Sequence, residues 1–245
     1  MRKALMRKPV SRSSRITLPP ESEEEEQKKV PDGGPRSIQP YYQNFLVGPL
    51  QCNCTLIGNP QSGQAILIDP GGDSEMLLQE LSEHQLQLVE ILHTHAHLDH
   101  FLASGKIKEA TGAKLSLHQE DSFLWDMLED QCGMFGIPYE PAPPPDHWLE
   151  HEEETLLQGC CLHTPGHTPG SMSFLFEEEN LLIAGDTLFQ GSIGRTDLWG
   201  GDFNTIETSI REVLYKLDET TMVITGHGAS TTIGREIRTN AFVRG

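Results

Sequence analysis

From about residue 41 onward, short apolar runs alternate with clusters of glycine, proline, asparagine and charge. Residues 45–47, 55–57, 65–68, 88–92, 114–117, 160–163, 171–176, 181–184 and 222–225 are such runs, bounded by turn residues, and they read as strands. Between some of them the apolar positions change to helical spacing. Residues 74–84 carry Met76, Leu77, Leu78 and Leu81, with Asp73 or Ser74 as the N-cap. Residues 101–110 and 119–128 predict two more helices. Residues 203–217 predict a fourth, with Ile206, Ile210, Val213, Leu214 and Leu217 on one face. Strands and helices mixed in both halves, without strict alternation, imply layered α/β packing. Residues 138–145 hold five prolines in eight positions and must form a loop. That loop either walls a cleft together with Met134-Phe135-Gly136 or simply connects two elements.

The polar residues that interrupt this pattern are concentrated. Directly after the run at 88–92 the chain reads His95-Ala96-His97-Leu98-Asp99-His100. In an extended segment residues two apart point the same way, so His95 and His97 can converge on one point. Asp99 and His100 follow where a helix can begin, and reach a second point close by. Imidazole nitrogen and carboxylate oxygen together suit zinc, iron or manganese. Three more fragments follow in order: Thr164-Pro165-Gly166-His167-Thr168-Pro169-Gly170-Ser171, Ala184-Gly185-Asp186-Thr187 and Thr225-Gly226-His227-Gly228. Each puts one ligand-type side chain in a glycine-bearing turn at or near a strand, which is how a rigid scaffold presents functional groups.

The series His95-X-His97-X-Asp99-His100, His167, Asp186, His227 resembles the metallo-β-lactamase superfamily. Within it the chain is similar to the short, single-domain glyoxalase II (hydroxyacylglutathione hydrolase) branch. The match runs from about Tyr41 to the C-terminus, with Asp69-Pro70-Gly71-Gly72 as the superfamily's early turn. The resemblance implies an αββα sandwich with a metal centre at one edge. It implies two divalent ions per chain, zinc first, with iron or manganese also compatible. The first would be held by His95, His97 and His167, the second by Asp99, His100 and His227, with Asp186 between them. Lactam-cleaving members commonly carry Cys where Asp186 stands, and flavodiiron oxidases carry Glu at the position of His97. The chain ends 18 residues after His227. Full-length glyoxalase II enzymes carry a further helical domain there, so the resemblance is to the short form.

Composition narrows the partners. The net charge of −18 is unevenly spread: residues 1–36 hold nine Lys/Arg and six Asp/Glu, leaving nine and thirty for the other 209 residues. So acidic a domain repels a phosphate backbone, which argues against nucleic acid. No apolar stretch approaches the roughly 20 residues of a membrane span. The Arg/Ser-rich start, the acidic block Glu21-Ser22-Glu23-Glu24-Glu25-Glu26 and the spacer Pro31-Asp32-Gly33-Gly34-Pro35 carry too little apolar surface to order themselves. Residues 1–40 therefore read as a disordered extension, and 41–245 as the catalytic domain. The basic start resembles an organelle transit peptide. Without that role the chain reads as cytoplasmic, and its five cysteines as buried reduced thiols.

Two ions close together can share a water, bring its pKa toward neutral and hold a hydroxide against a carbonyl. A thioester suits such a site, because its thiolate leaves without an acid, and the chain has no nucleophile elbow. The small-molecule partner is then a thioester, glutathione-linked in the family. Asp99 is both a ligand and a candidate acceptor for the water's proton. Asp69 is assigned to orienting a ligand histidine or the motif loop. Arg195, in Gly194-Arg195-Thr196-Asp197, either receives a substrate carboxylate or pairs with Asp197 or Asp202. The nearest rival is a mononuclear iron persulfide dioxygenase on the same scaffold, which would use His95, His167 and Asp186. Lactonase and other metallo-hydrolase readings stay open. Deleting residues 1–36 is expected to leave kcat and the melting temperature nearly unchanged, checked by assay and thermal unfolding of the truncated chain.

Overall fold

The structure, a computed structural model, describes residues 41–245, so the extension expected at 1–40 lies outside the described residues. Six strands form the first sheet in sequence order: β1 (Tyr41–Val47), β2 (Cys52–Asn59), β3 (Gln64–Ile68), β4 (Gln87–Leu92), β5 (Lys114–His118) and β6 (His147–Leu149). β1, β2 and β3 run antiparallel, and β3 through β6 run parallel. The crossovers carry α1 (Ser74–Glu83), α2 (Leu98–Phe101), α3 (Ser104–Thr111), α4 (Ser122–Asp126) and α5 (Leu128–Phe135). The second sheet contains β7 (Cys160–His163), β8 (Met172–Phe176) and β9 (Leu181–Gly185). After a two-stranded hairpin of β10 (Leu188–Phe189) and β11 (Ser192–Ile193) and helix α6 (Phe203–Glu212), the chain returns to that sheet. It adds β12 (Met222–Thr225), parallel to β9, then β13 (Thr231–Thr232), and closes with α7 (Ile233–Thr239).

Alternation along the strands explains the layers, because successive side chains point to opposite faces. Ile57, Ile66, Ile68 and Leu92 of the first sheet meet Met172, Phe174, Phe176 and Ile183 of the second in one buried cluster. Their neighbours Leu56, Leu67 and Ile91 face outward and pack with Leu77, Phe101 and Leu124 of the helices. On the far side, Leu182, Ala184 and Val223 are covered by Ile206, Ile210 and Ile233. The result is the layered αββα arrangement.

Eight of the nine predicted runs fall within a strand and the ninth, 171–176, overshoots β8 only at Ser171, but three of the predicted helices are interrupted. The segment at 101–110 breaks between α2 and α3 because the Ala103 amide donates to the Pro70 carbonyl (3.0 Å), outside the helical ladder. The segment at 119–128 begins as a 3₁₀ turn at Gln119–Asp121 and breaks at Met127, after which α5 runs to Gly136 in left-handed conformation. The segment at 203–217 stops at Glu212 and ends in a 3₁₀ turn. Asp73 precedes α1, yet its carboxylate does not cap the helix; it accepts from the Gly48 amide (2.9 Å) and ties down the β1–β2 turn. The proline-rich loop is pinned by the Trp125 indole, which donates to the Pro143 carbonyl (3.1 Å). All five cysteines are free, and no described helix is long and apolar enough to cross a membrane.

Phe174 is fully buried between the sheets whereas Leu156 is 57% exposed. Phe174→Ala should cost about 3–5 kcal/mol and Leu156→Ala less than about 0.5 kcal/mol, measured by urea unfolding.

Candidate metal centre

Parallel strands deliver their C-terminal ends to one edge, and the ligand-type residues collect there. Asp69 follows β3, the His95–His100 segment follows β4, Asp186 follows β9 and His227 follows β12, while His167 sits on the β7–β8 connection. His97 is extended and marks the N-terminal boundary of α2, so Asp99 and His100 lie in the first helical turn, as the spacing predicted.

Three imidazole nitrogens form a tight triangle. His95 Nε2 lies 3.1 Å from His97 Nδ1, His97 Nδ1 lies 2.9 Å from His167 Nε2, and His167 Nε2 lies 3.2 Å from His95 Nε2. All three side chains are buried. Burial, reinforced by the neighbouring imidazoles, lowers His95 well below the usual histidine range and His97 to about 3. His95 and His97 are therefore neutral, and each can offer a ring lone pair. Nitrogens bound about 2.1 Å from a tetrahedral ion lie roughly 3.4 Å apart, so this donor set fits a cation. A second group, Asp99, His100 and His227, also brings its ligand atoms together. There His227 Nε2 is 3.0 Å from Asp99 Oδ2. Asp186 stands between the two groups. Its Oδ2 is 3.6 Å from His167 Nε2, and its Oδ1 is 3.5 Å from His100 Nε2 and 3.9 Å from His227 Nε2. Asp186 Oδ1 is buried without a hydrogen-bond partner, an orphan acceptor that a shared cation would satisfy.

Carboxylates set the charge on the second group. Burial opposes ionisation of Asp99, but His100 and His227 outweigh it and hold its carboxyl well below the usual range. Burial likewise opposes charging of His100, yet Asp186, Asp69 and Asp99 around it raise it well above the usual value. Burial pushes the neighbouring Cys52 thiol up to about 12, so it stays neutral 3.5 Å from His100 Nδ1.

The remaining sequence candidates take specific places. Asp69, at φ +56°, accepts from the Thr94 amide (2.7 Å) and hydroxyl (2.6 Å) and lies 3.0 Å from His100 Nδ1. It touches both the motif loop and one ligand-type histidine. The Arg195 guanidinium turns outward and forms a two-pronged pair with Asp197 (2.7 and 2.8 Å). The Arg195 backbone carbonyl, not its side chain, reaches the centre, 2.8 Å from His167 Nδ1.

Sequence reasoning passed over four residues here. Asp121 accepts from the Ala96 amide (3.0 Å), and Gln131 accepts from the Leu98 amide (2.9 Å) and donates to the Ala96 carbonyl (3.0 Å). Asp121 lies in a segment that read only as helix, and Gln131 lies just beyond it. Asn53 donates to the Thr225 and Gly228 carbonyls (2.7 and 3.1 Å), bracketing His227. Its signal was available: an amide flanked by apolar residues in a strand needs a specific partner when buried. Trp199 lies beside His97, ring centroids 6.1 Å apart.

Comparison with known proteins gives the family. Residues 47–227 match the family model for the metallo-beta-lactamase superfamily. Hydroxyacylglutathione hydrolase GloC of Haemophilus influenzae is 43% identical over 202 residues, 80% of this chain and 95% of that protein. Among solved structures, BLEG-1 B3 metallo-beta-lactamase superposes with a TM-score of 0.78 at 38% identity, covering 84% of this chain and all of that one. TTHA1623 in a di-iron-bound form gives 0.77 at 36% identity, covering 82% and 99%.

A side chain at Gly226 has no room, since its Cβ would lie 1.9 Å from Asp186 Oδ1. Gly226→Ala should therefore displace the Asp186 carboxylate and lower metal retention, read as metal content after dialysis.

Proposed function

Since the chain belongs to the metallo-beta-lactamase superfamily, we propose that it is a metal-dependent thioester hydrolase acting on hydroxyacylglutathione-type substrates. The observation that carries this reading is the Asp186 carboxylate, one oxygen toward each of two clusters of ligand-type residues. The similarity to a hydroxyacylglutathione hydrolase over nearly its whole length supports the substrate class.

His95, His97 and His167 would hold one divalent ion, and Asp99, His100 and His227 the other, with Asp186 serving both. Ions so bound supply a hydroxide at neutral pH and an electrophile for the carbonyl oxygen. Asp99 stays ionised between His100 and His227, which suits it as a ligand, and it would be the carboxylate placed to receive a proton from the water. Asp69 holds His100 and the Thr94 backbone in one orientation, as the Arg195 carbonyl holds His167. No acid is required for the leaving thiolate. Arg195, occupied by Asp197, contributes its backbone rather than its charge.

Metal analysis alongside four assays tests this reading: lactoylglutathione hydrolysis, a simple-thiol lactoyl thioester, a β-lactam, and oxygen uptake with glutathione persulfide. Two metal equivalents per chain and thioester cleavage are expected. One equivalent with oxygen uptake would overturn it in favour of the iron dioxygenase. Dominant β-lactam turnover, as the name of one structural relative invites, would overturn the substrate class alone. Asp186→Ala should lose most of both ions, since the charges it separates then repel. Arg195→Ala should leave kcat and KM near wild type.

A further inference from the structure

The residues after His167 remain unexplained by the ligand set, and Asp121 accounts for them. This side chain is fully buried at the end of the 3₁₀ turn that follows β5. Its Oδ2 accepts from the Ala96 amide (3.0 Å) and the Thr168 hydroxyl (2.8 Å), and its Oδ1 from the Gly170 amide (2.6 Å). Ala96 lies between His95 and His97, in the loop that leaves the first sheet. Thr168 and Gly170 follow His167, in the loop that joins two strands of the second sheet. One carboxylate therefore bolts together the two loops whose histidines form the nitrogen triangle.

The surroundings are shaped to this contact. A Cβ on Gly170 would lie 2.7–2.8 Å from the Asp121 amide and carboxyl group, so only glycine fits. Ser171 accepts from the Thr168 amide (3.0 Å) and shares the Thr168 hydroxyl (2.8 Å), which aims that hydroxyl at Asp121. Gln131 grips the Ala96 carbonyl and Leu98 amide from the other side. The three donors to Asp121 are uncharged. A buried carboxylate with neutral partners costs more than an isosteric amide would.

We propose that Asp121 is a positioning residue for the first metal ion: it fixes the separation of the His97 and His167 loops before the ion binds. This rests on the reading of His95, His97 and His167 as one ion's ligands.

Asp121→Asn keeps the shape but replaces one acceptor oxygen by an NH₂, which must face either the Gly170 or the Ala96 amide. Stepwise zinc titration against a chromophoric chelator should show one ion weakened about 10–100-fold and the other nearly unchanged. In chelator-stripped protein, amide exchange at Ala96 and Gly170 should be slow in the wild type and faster in the variant. Thr168→Val removes one bond of the three and should weaken the same ion by less; if Asp121→Asn does not fold, this variant decides. Unchanged zinc affinity and unchanged exchange in a folded variant would overturn the proposal, as would equal weakening of both ions. His97→Ala, titrated in parallel, must weaken the same ion as Asp121→Asn. The zinc titration does not depend on which thioester is cleaved, so a wrong substrate class leaves this result standing.

Discussion

The imidazole nitrogens of His95, His97 and His167, held 2.9–3.2 Å apart in a buried pocket, are the constraint on which the rest of this molecule depends. Lone pairs so close repel one another unless a proton or a cation lies between them. Burial disfavours protonation of His95 and His97. The arrangement is stable only with a shared cation or with loops rigid enough to resist separation. Both requirements are visible. The carboxylates of Asp99 and Asp186 supply negative charge at the edge of the triangle, and buried polar side chains supply the rigidity.

That rigidity comes from outside the ligand loops. Asp69, Asn53, Gln131 and Asp121 each reach a ligand-bearing segment from a different element. The Asn53 amide also donates to the Gly226 carbonyl (2.8 Å), joining the first sheet to the second at the metal edge. The two sheets pack mainly through apolar side chains, which have no directional preference of their own. Polar ties at one edge fix how the sheets register there. This is the ordinary division of labour between core and site: apolar burial supplies stability, while hydrogen bonds with defined geometry supply position.

The strands were legible because their apolar runs are short and bounded by turn residues, and the seven ligand-type residues were legible because their types and order are unusual. The interruptions were not. The break before α3 depends on the Pro70 carbonyl, some thirty residues away, which no local pattern reports. The short strands β6, β10, β11 and β13 are held by pairing partners rather than by periodicity. Asp121 looked like the polar face of a helix and Gln131 like an ordinary surface residue beyond it, since a buried polar residue and an exposed one have the same letter. Arg195 was the converse case. Its side chain drew notice, while the contribution that reaches the centre is a backbone carbonyl, which any residue could provide.

The central claim is that two clusters share one carboxylate and hold two ions. Anomalous scattering at the metal absorption edge, from crystals of active protein, tests it most directly. The account predicts two peaks, one among His95, His97 and His167 and one among Asp99, His100 and His227, each within bonding distance of an Asp186 oxygen. A single peak in fully active crystals would contradict it.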